Sequence, residues 1–443
     1  MRAVNIAPSP PPLAPVEALR HVPIDATAKG FAVVAAGGAV TAASLAPRGL
    51  AAPGPDFTLP LLVLKDSALT HNAAAMARWC ADAGVLLAPH GKTTMAPQLF
   101  ARQLAAGAWG ITAATIGQVQ VYRSFGIERI LLANELTDPA GIAWLAGQLT
   151  TDPGWECYTY VDSVAGVELL AAELRAAGAG RPLPVLVELG FPGGRTGCRT
   201  PDEALAVAEQ VRRTAGLALA GVAGYEGGLG RDASQASLDA VAGFCSELRE
   251  LAGRLPGEPG AAGASDRPGW IVSAGGSVYF DIVVRELTAA LPGAASSAPT
   301  VVLRSGCYLT HDHGLYAAIG PGAGRGGPAL IPALELWAGV LSGPEPGLVL
   351  ASAGRRDVSF DQGMPVPLRL RRRDGSEVPA DAMTVTRLDD QHAYLSVPAD
   401  AAVAPGDLVC FGISHPCTTF DKWRAIPVVD DADRVIDVVH TFF

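Results

Sequence analysis

The sequence predicts a (β/α)8 barrel of the TIM type followed by a C-terminal all-β domain. The first observation is a series of eight short apolar runs, each followed by an amphipathic stretch long enough for a helix. The second is a change after about residue 315, where short strand-like runs with turn residues replace this alternation. Eight alternating βα units are typical of a closed barrel of parallel strands.

The predicted barrel strands are short and apolar. They lie at 85–89, 109–114, 129–134, 157–162, 184–190, 217–225, 270–275 and 300–305. The helix predicted after the fifth of these strands has clear start residues, with Thr200 at the N-cap and Pro201 in the first turn. Segment 255–269 is predicted to be a surface loop, because the alternation resumes directly after it.

The pattern divides the chain into three regions. Residues 1–55 begin with a proline-rich arm and continue as an N-terminal extension that could add to the β-domain. Residues 56–315 form the predicted barrel, and residues 316–443 form the β-domain. Its candidate strands lie at 347–354, 366–372, 382–388 and 393–397.

The composition excludes two classes of partner. The 443 residues include 33 basic and 43 acidic ones, and the net charge of −10 lacks the positive surface that nucleic acid requires. No apolar run reaches the roughly 18 residues of a membrane span. The seven cysteines are odd in number and scattered, which favours reduced thiols in a cytoplasmic protein.

The stretch APHGKTTM (88–95) places a lysine, Lys92, directly after the first predicted barrel strand. It is not a phosphate-binding P-loop, because Leu86 stands where that loop needs a glycine. Catalytic groups of barrel enzymes sit at the carboxyl ends of the strands. A partly desolvated lysine there can form a Schiff base with an aldehyde. From position alone, an ordinary exposed lysine after a strand explains Lys92 equally well.

The seventh predicted strand ends in the sequence SAGGS (273–277), and a helix is predicted to begin at Ser277. Barrel enzymes commonly bind phosphate in this region, where glycines let the backbone approach and a helix start presents free N–H groups. The candidate phosphate contacts are Ser273, Gly275, Gly276 and Ser277. A tight βα turn is the alternative explanation. A lysine after strand one and a phosphate site after strand seven together fit pyridoxal phosphate.

Most of the chain after about residue 60 resembles a known family. The segments that carry the resemblance are 89–136 (beginning PHGKTTM), VELGFPGGRTGCR (187–199), GVAGYEG (221–227), VSAGGS (272–277), LRSGCY (303–308) and GISHPCTTFDKW (412–423). They resemble the D-serine dehydratase and D-threonine aldolase family, which consists of fold-type III pyridoxal phosphate enzymes related to alanine racemase. Within it, the chain looks most like a D-serine deaminase.

The resemblance implies roles for particular residues. Lys92 would carry the cofactor as a Schiff base, and the SAGGS turn would hold the phosphate. Tyr225 would lie against the cofactor ring, with Arg195 or Arg304 near its phenolic oxygen or pyridine nitrogen. Tyr308, in LRSGCY, is a further candidate contact. The resemblance also implies a homodimer, in which the β-domain of one subunit closes over the barrel of the other.

The C-terminal motif SHPCTTFDKW contains His415 and Cys417, whose side chains would share one face of an extended strand. Two ligands are too few for a structural zinc site but suit an open catalytic one. The resemblance implies a metal pair here, and the soft thiolate favours zinc over manganese. His311 and His313, in THDHGLY, are a weaker alternative metal cluster.

Together with the resemblance, these residues predict a pyridoxal phosphate- and zinc-dependent dehydratase of D-serine or a related β-hydroxy D-amino acid, which yields a 2-oxo acid and ammonia. Three alternatives remain open. They are a metal-dependent D-threonine aldolase that cleaves the Cα–Cβ bond, a dehydratase of D-threo-3-hydroxyaspartate, and a protein that binds pyridoxal phosphate without turnover.

Overall fold

The structure is a computed structural model that describes residues 13–255, 269–290 and 299–443. Its strands form two sheets, one of eight strands and one of ten. The eight-stranded sheet is the barrel, and the ten-stranded sheet contains the strands of the C-terminal part of the chain together with one strand from near the N-terminus.

The strands of the barrel confirm the predicted series. The first strand of the chain, β1 (Leu61–Lys65), belongs to the other sheet. The barrel strands are β2 (Leu86–Leu87), β3 (Ile111–Ala113), β4 (Arg129–Glu135), β5 (Glu156–Val161), β6 (Leu183–Leu189), β7 (Leu217–Gly224), β8 (Ile271–Ala274) and β9 (Thr300–Leu303). Every neighbouring pair among them is parallel.

The barrel closes between its first two strands. The Trp109 N–H donates to the Leu87 carbonyl at 2.7 Å, and the Thr112 N–H donates to the Pro89 carbonyl at 2.9 Å. Strand β2 is only two residues long, and these bonds, at its last residue and just beyond it, join the two edges of the sheet. The carboxyl ends of all eight strands therefore form a continuous rim around one opening.

Helices follow the barrel strands as the sequence predicts. The helices in the described part of the chain are α1 (Ala14–Ala18), α2 (Ala42–Leu45), α3 (Asp66–Asp82), α4 (Pro97–Ala105), α5 (Ile116–Ser124), α6 (Pro139–Thr151), α7 (Val164–Ala176), α8 (Pro201–Arg213), α9 (Gln235–Arg254), α10 (Phe280–Leu287), α11 (Leu315–Ile319) and α12 (Cys417–Phe420). The Thr200 side chain accepts a hydrogen bond from the Glu203 N–H, which confirms the predicted N-cap of α8. No helix in the described part of the chain has both the length and the apolar character needed to cross a bilayer.

The second sheet is mostly antiparallel. Its further strands are β10 (Leu334–Glu345), β11 (Leu348–Ala351), β12 (Val366–Arg371), β13 (Glu377–Pro379), β14 (Thr384–Leu388), β15 (Ala393–Ser396), β16 (Leu408–Gly412), β17 (Ala425–Val429) and β18 (Val435–His440). Strand β1 lies between β10, which is antiparallel to it, and β17, which is parallel to it. A segment that precedes the barrel in sequence is thus part of the sheet that follows it.

The N-terminal extension packs on one face of the second sheet. Phe31 and Leu45 belong to the same buried cluster as Leu61, Trp337 and Val438 from strands β1, β10 and β18. Most of the proline-rich arm and nearly all of the predicted loop at 255–269 lie outside the described residues. The boundaries at 55/56 and 315/316 stay predictions.

Candidate active site

Lys92 lies in a short turn at the carboxyl end of the first barrel strand. This turn is a single 3-10 turn (Gly91–Thr93) that follows β2. The N–H of His90 donates to the carbonyl of Arg304 at 3.1 Å, which ties the turn to the end of β9. The backbone of the barrel therefore fixes the point from which the lysine side chain starts.

The sequence contains four lysines, and Lys92 differs from the other three. The others form ion pairs: Lys29 with Asp357 at 2.8 Å, Lys65 with Asp433 at 2.7 Å and Lys422 with Asp421 at 3.1 Å. Among the described residues, Lys92 has no carboxylate partner. Burial lowers its pKa, and the guanidinium of Arg195 adds to this effect. An amine with a lowered pKa is neutral more often and can act as a nucleophile or base.

Arg304 is buried immediately after the last barrel strand. Its Nη1 donates to Ser273 Oγ at 2.7 Å and its Nη2 donates to the Gly224 carbonyl at 2.7 Å. Its Nε is also buried but has no partner among the described residues. A buried charged donor without an acceptor is costly, so this atom is available to a polar group of a ligand.

Arg195 and Tyr225 stack on each other at the rim. The guanidinium of the exposed Arg195 lies 4.3 Å from the centre of the Tyr225 ring, which follows β7 directly. Burial raises the pKa of Tyr225, so its hydroxyl stays protonated at neutral pH. The pair presents a positive charge and a phenol to the same part of the rim.

The loop that carries Arg195 is held by a second arginine, Arg199. Its guanidinium donates hydrogen bonds to four backbone carbonyls of the loop, those of Gly194, Arg195, Thr196 and Gly197. Because four loop carbonyls share one planar cation, the loop has a defined shape although it lies at the surface.

The predicted phosphate turn binds an anionic group in the structure. The N–H groups of Gly275 and Gly276 donate to the two carboxylate oxygens of Glu226, at 3.1 and 2.6 Å. Gly275 has a φ of +106°, a conformation that favours glycine. Helix α10 begins at Phe280, so the prediction of a helix start at Ser277 is wrong; a turn precedes the helix. Phosphate can use these two donors only if the Glu226 side chain moves.

A cavity of about 420 Å³ lies beside this turn. Its walls include Tyr225, Arg231, Gly276, Ser277 and His415. Arg231 brings a positive charge and Ser277 a hydroxyl, both suited to phosphate. The cavity therefore connects the phosphate turn of the barrel with the predicted metal pair of the C-terminal domain.

A smaller cavity of about 250 Å³ lies on the other side of Tyr225, and Glu188 lines it. Burial and the neighbouring Glu188 carboxylate raise the pKa of Glu135 to about 8. Both side chains have buried oxygens without hydrogen bonds among the described residues, as has the Tyr160 hydroxyl. Two neighbouring carboxylates repel each other, so Glu135 keeps its proton near neutral pH.

Three possible metal ligands meet where the β-domain touches the lysine turn. They are Cys307, His415 and Cys417, whose ligand atoms all lie within 4.8 Å of one another. The two sulfur atoms are 3.5 Å apart. Cys417 Sγ also lies 3.4 Å from Thr93 Oγ1, in the residue after Lys92. The predicted metal pair thus adjoins the predicted catalytic amine.

An aspartate positions the histidine of this group. The Nδ1 atom of His415 lies 2.7 Å from Asp361 Oδ2, and the Thr418 hydroxyl donates to Asp361 Oδ1 at 2.6 Å. A carboxylate on one ring nitrogen directs the other towards a metal. The prediction that 415–417 form an extended strand is wrong, because Pro416 has helical dihedrals and α12 begins at Cys417.

Three other predicted residues lie apart from this group. Tyr308 is buried, and a hydrogen bond links its hydroxyl to Gln103. His311 and His313 are not part of any group of three possible metal ligands among the described residues. Burial lowers the pKa of His311 to about 4 and also lowers that of His313, as expected for neutral histidines in a protein interior.

Comparisons with known proteins agree with this architecture. Residues 64–266 match the family described as "Alanine racemase, N-terminal domain", and residues 333–429 match the "Putative serine dehydratase domain" family. A D-threonine aldolase of Arthrobacter sp. is 28% identical over 87% of this chain and 94% of its own. The D-threo-3-hydroxyaspartate dehydratase of Delftia sp. (strain HT23) is 31% identical over 52% of this chain and 63% of its own. The crystal structure of D-threonine aldolase from Filomicrobium marinum superposes with a TM-score of 0.71 at 24% identity, over 87% of this chain and 95% of that one.

These matches confirm the resemblance to the alanine racemase-like, fold-type III pyridoxal phosphate enzymes. The residues at the rim suit the cofactor of this family. Lys92 is the lysine without a carboxylate partner, and the unpartnered Nε of Arg304 offers a donor to a polar ring. The cavity beside Gly276 and Ser277 provides room and donors for a phosphate. The residues present therefore fit pyridoxal phosphate.

Several residues of this fold-type III site are missing from the sequence prediction. They are Arg199, Glu226, Arg231, Cys307 and Asp361. Glu226 and Cys307 lie inside the motifs GVAGYEG and LRSGCY, and this position is the sequence signal that identifies them as site candidates. Asp361 is 54 residues from His415, and no local pattern connects the two.

Proposed function

We propose that the protein is a pyridoxal phosphate- and zinc-dependent dehydratase of D-serine or a related β-hydroxy D-amino acid. The substrate would lose its β-hydroxyl and its α-proton as water. The enamine that remains would take up water and release ammonia, which leaves a 2-oxo acid. D-Serine would thus give pyruvate and ammonia.

The observation that carries this proposal is the cavity shared by the two halves of the site. Tyr225, Gly276 and Ser277 from the barrel and His415 from the β-domain line the same space. The neighbouring Cys417 contacts the turn that carries Lys92. An amine that moves a proton at the α-carbon and a metal that acts at the β-oxygen must lie close together, because the α- and β-carbons are bonded neighbours.

Pyridoxal phosphate supplies an aldehyde that binds amines covalently and a ring that withdraws electrons, and zinc supplies Lewis acidity. Lys92 Nζ would be the atom that takes the α-proton, since burial lowers its pKa and so favours the neutral amine. Arg304 and Tyr225 orient what binds between them. The Arg195 loop lines the smaller cavity together with Tyr225.

A thiolate ligand favours the dehydratase. Cys417 is a soft ligand and selects zinc over manganese or magnesium. The resemblance associates a cysteine at this position with dehydratases and an aspartate with aldolases. The alternative of a carrier without turnover is disfavoured, because a carrier has no need of a metal group beside the cofactor lysine.

An aldolase is the second candidate. The Arthrobacter relative that carries this name aligns with nearly the whole chain, whereas the Delftia dehydratase aligns with about half of it. Such an enzyme would cleave the Cα–Cβ bond of D-threonine into glycine and acetaldehyde. The same lysine and metal residues would serve both reactions.

The decisive experiment incubates the purified protein with D-serine, D-threonine, D-threo-3-hydroxyaspartate and the L-forms, with and without a chelator, and identifies the products. Ammonia and a 2-oxo acid that disappear on chelation are expected. Glycine with an aldehyde would replace the dehydratase by the aldolase. No turnover of any of these substrates by the metal-loaded protein would overturn both.

We also propose that the enzyme is a cytoplasmic homodimer that acts on a small molecule. All seven cysteines are free thiols, which agrees with a reducing compartment. Sedimentation equilibrium of the purified chain tests the dimer, and a mass of one chain at micromolar concentration would contradict it.

A further inference from the structure

The metal pair of the proposed function has a third possible ligand in the barrel. Cys307 comes from the loop after β9, whereas His415 and Cys417 come from the β-domain. The two cysteines are 110 residues apart in the chain. We propose that Cys307 is a third protein ligand, so that the ion sits in a Cys2His site built from both domains. The inference rests on the proposed function in one respect: the ion is taken to be the zinc ion of the proposed dehydratase.

The distances suit zinc. Two sulfur atoms that are each about 2.3 Å from a zinc ion, at the tetrahedral angle, lie about 3.8 Å apart. The sulfur atoms of Cys307 and Cys417 are 3.5 Å apart, and His415 offers a nitrogen within 4.8 Å of both. A disulfide needs about 2.05 Å, so this approach is too wide for a bond between the two sulfurs.

The backbone holds Cys307 in this place before any ion binds. The Cys307 N–H donates to Ser277 Oγ at 3.3 Å, which ties it to the phosphate turn. Gly306 packs directly against the lysine turn, because a Cβ atom there would lie 2.5 Å from the His90 carbonyl oxygen and 3.0 Å from Thr93 Oγ1. Only a glycine allows this approach. The backbone of Cys307 is therefore held by the barrel rim.

The five other buried thiols, at Cys80, Cys157, Cys198, Cys245 and Cys410, lie in other parts of the chain and join no ligand group among the described residues. Cys307 instead has polar neighbours, since hydrogen bonds link its sulfur to Cys417 and to Tyr316. A thiol in such surroundings is suited to bind a metal as thiolate.

Three protein ligands leave one tetrahedral position open. Catalytic zinc sites commonly have three protein ligands and one exchangeable position, and Cys2His is a known set. His415 lines the 420 Å³ cavity, so the open position is expected on that side. Two thiolates and a neutral imidazole also discriminate against manganese and magnesium more strongly than one thiolate does. The ion would then link the barrel and the β-domain, because its ligands come from both.

Cobalt(II) substitution tests the proposal, because sulfur-to-cobalt charge-transfer absorbance increases with the number of thiolate ligands. The cofactor-loaded chain, freed of metal and titrated with Co²⁺, is compared with Cys307→Ala, Cys417→Ala and the control Cys80→Ala. Each of the first two variants is expected to lose roughly half of the absorbance per bound ion and to bind zinc at least about 100-fold more weakly. The Cys80→Ala control is expected to match the unaltered chain.

A second measurement needs no variant. Zinc is expected to protect both Cys307 and Cys417 of the unaltered chain from alkylation, as read by peptide mass spectrometry. Protection of Cys417 alone, or unchanged absorbance and zinc affinity in Cys307→Ala, would overturn the third ligand and leave the proposed function intact. Failure of every form to bind metal would overturn both. Two missing thiols in the denatured, unreduced chain would reveal a disulfide and also overturn the third ligand.

Discussion

The lysine turn (Gly91–Thr93) and the metal loop (415–417) lie in contact with each other, but they are held in different ways. The turn is fixed by backbone hydrogen bonds, such as that from the His90 N–H to the Arg304 carbonyl. The loop is fixed by side chains: Ser359 Oγ accepts from the His415 N–H at 3.1 Å, and Asp361 binds the ring of His415. Backbone bonds survive most substitutions, whereas side-chain bonds do not. The amine is therefore robust to mutation, and the metal half of the site can be changed separately.

The largest effect is expected from Lys92→Ala. The variant should lose covalent attachment of the cofactor and roughly 10³-fold or more of the activity, because the other three lysines are paired with aspartates. Borohydride reduction followed by peptide mapping should label position 92 in the unaltered chain only. Lys29→Ala is the matched control and should keep both properties. Loss of metal binding in Lys92→Ala would contradict the conclusion that the lysine turn and the metal loop are held independently.

A weaker effect is expected from Asp361→Asn. The amide cannot orient the His415 ring as the carboxylate does, so zinc affinity should fall about 10–100-fold. Competition with a chromophoric chelator measures this affinity. Asp374→Asn, at an exposed turn, should change nothing. Cofactor binding should stay unchanged in both variants, and an equal loss of cofactor would show that the two halves are not independent.

A pH effect on stability is expected from Glu135, on the barrel wall. Its pKa of about 8 in the folded chain lies above the ordinary value of 4.5, so the folded chain holds a proton that the unfolded chain has released. Stability should therefore fall as the pH rises from about 5 to 8. Glu135→Gln does not titrate, and between pH 6 and pH 8 it should lose less stability than the unaltered cofactor-free chain, by as much as about 2 kcal/mol. Urea unfolding at several pH values measures this, and parallel pH curves would contradict it.

The smallest effect is expected from Arg199→Lys. A lysine ammonium cannot serve four loop carbonyls at once, so the loop with Arg195 should loosen by about 1–2 kcal/mol. KM should rise several-fold while kcat changes little. Arg213→Lys, in an exposed ion pair within α8, is the control. A fall in kcat without a change in KM would assign Arg199 a different role.

The sequence predicts the barrel far better than it predicts the metal half, and the reason is the range of the contacts. The eight barrel strands and the N-cap at Thr200 depend on local periodicity and start residues. Strand β1 escapes prediction as a member of the second sheet, because its partners β10 and β17 are more than 250 residues away in the chain. The pattern LLVLK shows a strand but not its neighbours.

The same limit applies within the site. Lys92 and the SAGGS turn follow from their place after barrel strands, which is a local property. The meeting of Cys307 with Cys417 depends on how the two domains pack, which no spacing in the sequence encodes. The carboxylate of Glu226 at the phosphate turn is also a tertiary contact, between the segments after β7 and β8.

The scarcity of lysine has a further chemical meaning. Of 33 basic side chains only four are primary amines, and three of these are paired with aspartates. Guanidinium groups do not condense with simple aldehydes under ordinary conditions, so a surface that relies on arginine for its positive charge is nearly inert towards a reactive carbonyl compound. We therefore expect excess free cofactor to modify one lysine side chain of this protein, Lys92.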